Sequence, residues 1–268
     1  GHARAVPLQR KIAWRKDSQK IASLPEVAMV STYVQGHLLV QNRDYHAVPF
    51  SLGINPSQPK GVLPINEFLN KGFVPVHGYD SKDITPVPTI NSLEDDVVFI
   101  TQQVANRLGV RAATVLILDD QNVTETDGKV QVARLDPYVE SEEWMIEFFA
   151  EDRYKIKNIL GSIELNCSLD EPAADLGWGY PQFRVVPGDK PFSKGDRYRF
   201  QTFRSSILEI YSPTMIEQAK SDEMAPPREV RVGGIFEVPW QGFHTDALIG
   251  THRSVSYTHL RAHETRSD

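Results

Sequence analysis

His244 and Asp246 are separated by one residue, and His252 follows in the same segment. An imidazole oriented by a carboxylate is how general bases and metal ligands are held, and on a strand the two side chains would share a face. A single His-x-Asp is also a common coincidence, so the plainer reading is a polar turn after a strand. A second set, Glu140, Glu142, Glu143, Glu147, Glu151 and Asp152, holds carboxylate pairs of the kind glycosidases use. Clustered on one expected helix, they read more simply as a solvated face. Trp178, Tyr180 and Phe183 alternate with Gly177, Gly179 and Pro181. That pattern makes either an aromatic platform for a sugar or lipid or, more ordinarily, a rigid turn that tucks rings into a small core. Cys167 stands alone, with no adjacent His or Lys to lower its pKa, and reads as an idle thiol. No Gly-rich phosphate loop, Gly-x-Ser-x-Gly elbow or His-Glu-x-x-His helix occurs. The sequence offers no catalytic set, no metal site and no cofactor site.

The chain that must carry these groups has 268 residues, 40% hydrophobic and 24% charged, with a formal charge of -6. That is ordinary folded composition, enough for roughly two cores at about 100 to 200 residues each. The 29 basic residues are outnumbered by 35 acidic ones and form no basic block, which argues against nucleic acid as a partner. No run approaches the roughly 18 to 20 apolar residues that cross a bilayer. Gly1-His2-Ala3-Arg4 opens no signal peptide, and the chain reads as cut at its start. Val255-Ser256-Tyr257-Thr258-His259-Leu260-Arg261-Ala262-His263-Glu264-Thr265 resembles the conceptual translation of a sequencing-library adaptor. Residues 254–268 are therefore expected to be an artefactual tail, which removes His259, His263 and Glu264 as a metal set.

Periodicity gives the elements. Residues 14–23 read as an amphipathic helix stopped by Pro25, and 27–34, 37–40 and 47–52 as a β-meander around the turn Asn42-Arg43-Asp44. A short helix is expected over 64–70 and an irregular, proline-punctuated stretch over 72–92. A strand over 95–100 leads to a helix over 101–108 that Gly109 ends. A strand over 114–118 is expected to pair through an Asp127-Gly128 hairpin with 130–135. Residues 141–160 give the longest helix candidate, with Ser141 as N-cap and acidic residues in its first turn. Strands follow over 162–166, 182–186, 197–203, 207–211 and 229–238, with a helical turn over 215–222. Meandering strands with few helices predict an α+β fold with mixed and antiparallel sheets.

The order of landmarks carries more than any one motif. Leu24-Pro25-Glu26-Val27, a strand pair, Gly53-Ile54-Asn55-Pro56, Phe99-Ile100 to Arg107-Leu108-Gly109-Val110, Ile210-Tyr211-Ser212-Pro213, Val232-Gly233-Gly234-Ile235-Phe236-Glu237 and then Asp246 follow one another. This series resembles the periplasmic core domain of lipoprotein-releasing ABC transporter permeases, a core shared with exporters of macrolide type and cell-division type. Glu26 and Asn55 depart from the family's usual Gly and Asp, Ala112-Ala113 stand where Gly-Asp is favoured, and residues 121–204 look like an insertion the family usually lacks.

The resemblance implies a two-lobed extracytoplasmic domain, with a first lobe over 1–95 and a second over 96–253. It implies a non-catalytic permease subunit without cofactor, on the periplasmic face of a bacterial inner membrane. The implied partners are a cytoplasmic ATPase subunit, a second permease subunit, a periplasmic lipoprotein carrier and the lipoprotein cargo. In the family, the loop between the Ser-Pro strand and the Gly-Ile-Phe strand of one subunit hooks the carrier. The matching residues are Met215, Ile216, Met224, Pro226 and Pro227. The alternative is a secreted or periplasmic hydrolase or carbohydrate-binding module, in which His244, Asp246 and the Trp178, Tyr180 and Phe183 rings would converge on one pocket.

Overall fold

A computed structural model describes residues 14–28, 30–57, 93–119, 126–171, 174–212, 215, 226–238 and 244–255. The expected elements over 64–70 and 72–92 lie outside them, as does all but Met215 of the turn over 215–222. The fold is α+β, and its strands fall into two sets.

The first set is an eight-stranded mixed sheet. It is built from β1 (Tyr33–His37), β2 (Leu39–Asn42), β3 (Tyr45–Ala47), β4 (Phe50–Ile54), β5 (Val97–Thr101), β13 (Ile207–Tyr211), β14 (Arg228–Phe236) and β15 (Ala247–Thr251). Their order is β1-β4-β15-β5-β14-β13-β2-β3, with β14 parallel to β5, β15 parallel to β4 and antiparallel pairing elsewhere. Every residue of β5 and β15 is buried, which is why both read as near-continuous apolar runs. Alternation sends Val98 and Ile100 to one face, where Val232, Leu208, Ile210 and the helix α2 (Gln102–Leu108) join them through Val104, Ala105 and Leu108. Phe99 turns to the other face with Leu52, Ile54, Leu93, Phe236 and Ile249.

Gly109 stops α2 at φ 62, where its N–H reaches the carbonyls of Ala105 and Asn106. Asn42 Nδ2 donates to the Leu108 carbonyl at 2.8 Å and satisfies another open helix end. Gly233 is the extra residue of a bulge in β14, and a Cβ there would lie 2.3 Å from Val97 Cγ1. An amphipathic helix α1 (Trp14–Ala22) precedes the sheet.

The second set spans residues 114–203. Five antiparallel strands run in the order β10-β9-β8-β12-β6: β6 (Thr114–Asp119), β8 (Glu143–Phe148), β9 (Arg153–Asn158), β10 (Glu164–Ser168) and β12 (Arg197–Phe203). A two-stranded pair, β7 (Lys129–Arg134) with β11 (Gln182–Val186), shares its core. Trp144, Ile146, Phe148, Tyr154, Ile156, Phe183, Phe192 and Phe200 fill that core, with Phe192 stacked on Phe148 at 4.1 Å.

Two expectations are corrected here. Residues 141–160 are a β-hairpin, β8 and β9, because Trp144, Ile146 and Phe148 and then Tyr154 and Ile156 alternate inward with period two. The chain reverses over 149–152, where the N–H groups of Phe149 and Ala150 donate to the Arg153 carbonyl. β6 does not pair with β7. It pairs with β12, while β7 pairs with β11, and the Asp127 carboxylate instead accepts the Lys190 N–H at 2.8 Å.

The expected border between 95 and 96 falls inside one sheet, since β4 and β5 both flank β15. The described residues of 126–203, which overlap the expected insertion over 121–204, lie in the second set or its connections. At the other border, Ser254 and Val255 are 0% and 2% exposed, so residue 254 sits within a packed helical turn.

Candidate functional site

The sequence-predicted groups do not assemble. His244 lies ahead of β15 and stacks on Phe50, with ring centroids 4.0 Å apart and planes at 19°. Asp246 Oδ2 is held by Arg107 Nη1 at 2.9 Å, from the last turn of α2. His252 Nε2 lies 2.9 Å from the Thr32 carbonyl oxygen, and burial lowers its pKa against the opposing pull of that hydrogen bond. These contacts carry the three groups to three different partners, Phe50, Arg107 and Thr32.

Two of the acidic residues, Glu143 and Glu147, are paired with cations across the strands. Arg197 Nη2 donates to Glu147 at 2.6 Å and Lys157 Nζ at 3.2 Å, while Arg199 Nε donates to Glu143 at 2.7 Å and Lys155 pairs with Glu164 at 2.8 Å. The Arg197 hydrogen bond, ahead of the opposing effect of burial, lowers the Glu147 pKa. A general acid at neutral pH needs the reverse shift. Glu142 is bound by Asn158, whose side chain also donates to Ser162 Oγ and accepts the Ile163 N–H. This set is a cross-strand ladder. An open cleft beside it is lined by Phe149, Asp152, Lys155, Asn166 and Glu171, mixing both signs of charge.

The aromatic set divides. Phe183 is fully buried, Tyr180 packs edge-on to Trp144 at 6.0 Å, and Trp178 is 70% exposed with its ring 4.8 Å from that of Tyr138. Gly177 and Gly179 bracket Trp178 at φ 98 and φ 80, backbone that only glycine adopts readily. The Cys167 thiol is buried in the core, and burial, with the Glu171 charge second, pushes its pKa up to about 11.

Of the carrier-loop residues, Met215, Pro226 and Pro227 are described, and Ile216 and Met224 lie outside the described residues. Ser212, buried at the end of β13, accepts the Met215 N–H at 3.0 Å. Pro226 is exposed and Pro227 half-buried, directly before β14.

A cluster that no motif announced lies at this same end of the sheet. Asp95 Oδ1 accepts Thr251 Oγ1 at 2.8 Å, its Oδ2 accepts Arg253 Nη1 at 3.1 Å, and its backbone carbonyl accepts Arg228 Nη2 at 2.6 Å. Arg228 Nη1 also reaches the Arg253 carbonyl at 3.1 Å. On either side of Asp95 in sequence, Asp96 and Glu94 accept the Tyr138 hydroxyl at 2.5 and 3.4 Å, and the Arg231 guanidinium lies 5.2 Å from the Tyr138 ring. Burial first, and then the Asp96 hydrogen bond, raises the Tyr138 pKa from its ordinary value. The run Glu94-Asp95-Asp96 was the only visible signal, because the partners are far apart in sequence.

The β1 start, the β4 end, the β5 start, the β13 end, the β14 start and the β15 end all lie at this edge, as their pairings require. No family model and no curated protein matches the chain. Two crystal forms of Xanthomonas campestris FlgL are similar at 12% identity over 44% of this chain, with a TM-score of 0.25. The likeness takes in 37% of the FlgL chain, too partial a superposition to define a shared fold.

Proposed function

We propose that this chain is the extracytoplasmic core domain of an ABC transporter permease of the lipoprotein-releasing type. One observation carries the reading. The backbone entering β1 and the backbone leaving β15 are tied together by His252 on the Thr32 carbonyl, so these two points of the chain lie side by side at one end of the sheet. A domain set between two membrane helices needs both of its connections on one side. The landmark motifs add support, since those within the described residues lie in or beside the eight-stranded sheet and its helices, and none lies within residues 114–203.

On this reading no residue performs covalent chemistry. A separate cytoplasmic ATPase moves the membrane helices of a permease pair, and the domain passes that motion to a lipoprotein and a periplasmic carrier. Moving an acyl chain out of a bilayer costs roughly 0.8 kcal/mol per CH2, which is why the step requires a coupled engine and a greasy acceptor. The carrier contact falls to Met215, Ile216, Met224, Pro226 and Pro227. Thioether and branched side chains give adaptable apolar contact, and consecutive prolines limit the entropy lost on binding.

The gene on both sides of residues 1–254 tests the assignment. Apolar segments of membrane-spanning length at both borders are expected. A reading frame that starts with a secretion leader and ends without any such segment overturns it. A second reading, a carbohydrate-binding module, is favoured by the exposed Trp178 ring on Tyr138. It requires soluble oligosaccharides to quench Trp178 fluorescence, which the permease reading does not.

A further inference from the structure

We infer that the turn Glu94-Asp95-Asp96 is a two-sided latch, through which the chain leaving β15 and the outer unit of residues 114–203 sense each other's position. Asp95 faces the exit. It holds Thr251 and Arg253 through its carboxylate and Arg228 through its carbonyl. The exit turn is itself fastened to Thr251, whose Oγ1 accepts the Ser254 N–H at 3.1 Å. Asp96 and Glu94 face the outer unit. They take the Tyr138 hydroxyl, while the Asp96 carbonyl accepts the Arg231 N–H at 2.7 Å and so fixes the turn to β14.

The turn is short and stiff, closed by a Val97 N–H bond to the Glu94 carbonyl at 3.1 Å. Three consecutive residues closed in this way have little freedom to move one side chain and leave its neighbours in place. Loss of either set of bonds therefore loosens the other, and thermodynamic linkage makes the effect reciprocal. The inference rests on the fold and does not need the permease assignment. It supplies that assignment with a route from the membrane side to the outer unit, and its test uses neither ATPase nor carrier.

The test reads each end of the latch while the other is cut, in the full chain. Tyr138→Phe keeps the ring and removes the hydroxyl, and hydrogen exchange at the Ser254 amide is expected to quicken by about tenfold, the loss of roughly one hydrogen bond's protection. Thr251→Val cuts the exit side. The Trp178 resonance of 5-fluorotryptophan-labelled protein, assigned with Trp178→Phe, is then expected to shift, because Trp178 packs on Tyr138. Changes at both remote reporters support the latch. An unchanged Ser254 amide in Tyr138→Phe, or an unmoved Trp178 resonance in Thr251→Val, overturns it. Should either variant fail to fold, the other decides alone.

Discussion

Gly53 and Gly250 face each other on the parallel strands β4 and β15, and together they leave the space that Val255 and Ser254 occupy. A Cβ at Gly53 would lie 2.9 Å from Val255 Cβ and 3.1 Å from the Thr251 carbonyl oxygen, and one at Gly250 would lie 2.7 Å from Ser254 Oγ. The exit turn folds down over the sheet only because this pair has no side chains. It brings Val255 into the same apolar cluster as α2.

Gly53→Ala is therefore expected to lower stability by about 1 to 3 kcal/mol, as overpacking against backbone does. Gly36→Ala, on the edge strand β1 with nothing within 4 Å of its added Cβ, is the control. It is expected to be neutral or stabilising by up to about 1 kcal/mol, through a less free unfolded chain. Urea midpoints of the two variants decide. Equal losses would place the exit turn away from the sheet.

Glu147 is expected to matter modestly and only above acid pH. Its folded pKa lies below 4.5, chiefly through Arg197, so its stabilisation is full above about pH 4.5 and is lost as the pH falls through the lowered folded value. With the carboxylate 24% exposed and its partners 49% and 32% exposed, solvent screening limits the contribution. Glu147→Gln should cost about 0.5 to 1 kcal/mol at neutral pH. Denaturation at neutral and at acid pH checks this, and a loss that persists once the carboxylate is protonated contradicts it.

Much of this architecture is legible in the residues. Gln182–Val186, Arg197–Phe203 and Ile207–Tyr211 follow from alternation alone, because each buries one face and wets the other. The α2 stop follows from Gly109. The β8–β9 hairpin is obscured because Ser141, the acidic residues after it and Gly161 imitate helix punctuation, while its inward positions carry the true period. Pairing is less legible still. Arg199 meets Glu143 across 56 residues and Asp95 meets Thr251 across 156, and no local pattern specifies a partner so remote. The candidate site residues show the same limit: their partners, Phe50 for His244, Arg107 for Asp246 and Tyr138 for Trp178, are all distant in sequence.

His252 should make the fold pH-sensitive in one direction. Burial holds its folded pKa below 6.5, so in mild acid the unfolded chain binds a proton that the folded chain refuses. Stability is then full above about pH 6.5 and declines as the pH drops, until the folded value is passed and the slope ends. His252→Gln keeps a donor for the Thr32 carbonyl and removes the titration. Urea midpoints measured from about pH 8 to about pH 5 should fall less steeply in the variant. Parallel curves would show that His252 is solvated and does not tie entry to exit.

Cys167 should be chemically silent in the folded state. It lies opposite Tyr154 in the β9–β10 pairing, 5% exposed, with its pKa pushed up to about 11 by burial first and the Glu171 charge second. At about pH 8 on the order of one thiol in a thousand is ionised, against roughly a quarter for an unperturbed cysteine. Alkylation by iodoacetamide is thus expected to be on the order of a hundredfold slower in native protein than in urea. Burial of the sulfur slows it further. A native rate equal to the unfolded one would mean that β10 does not cover the β9 edge, and with it the second core would lose the strand that closes its side.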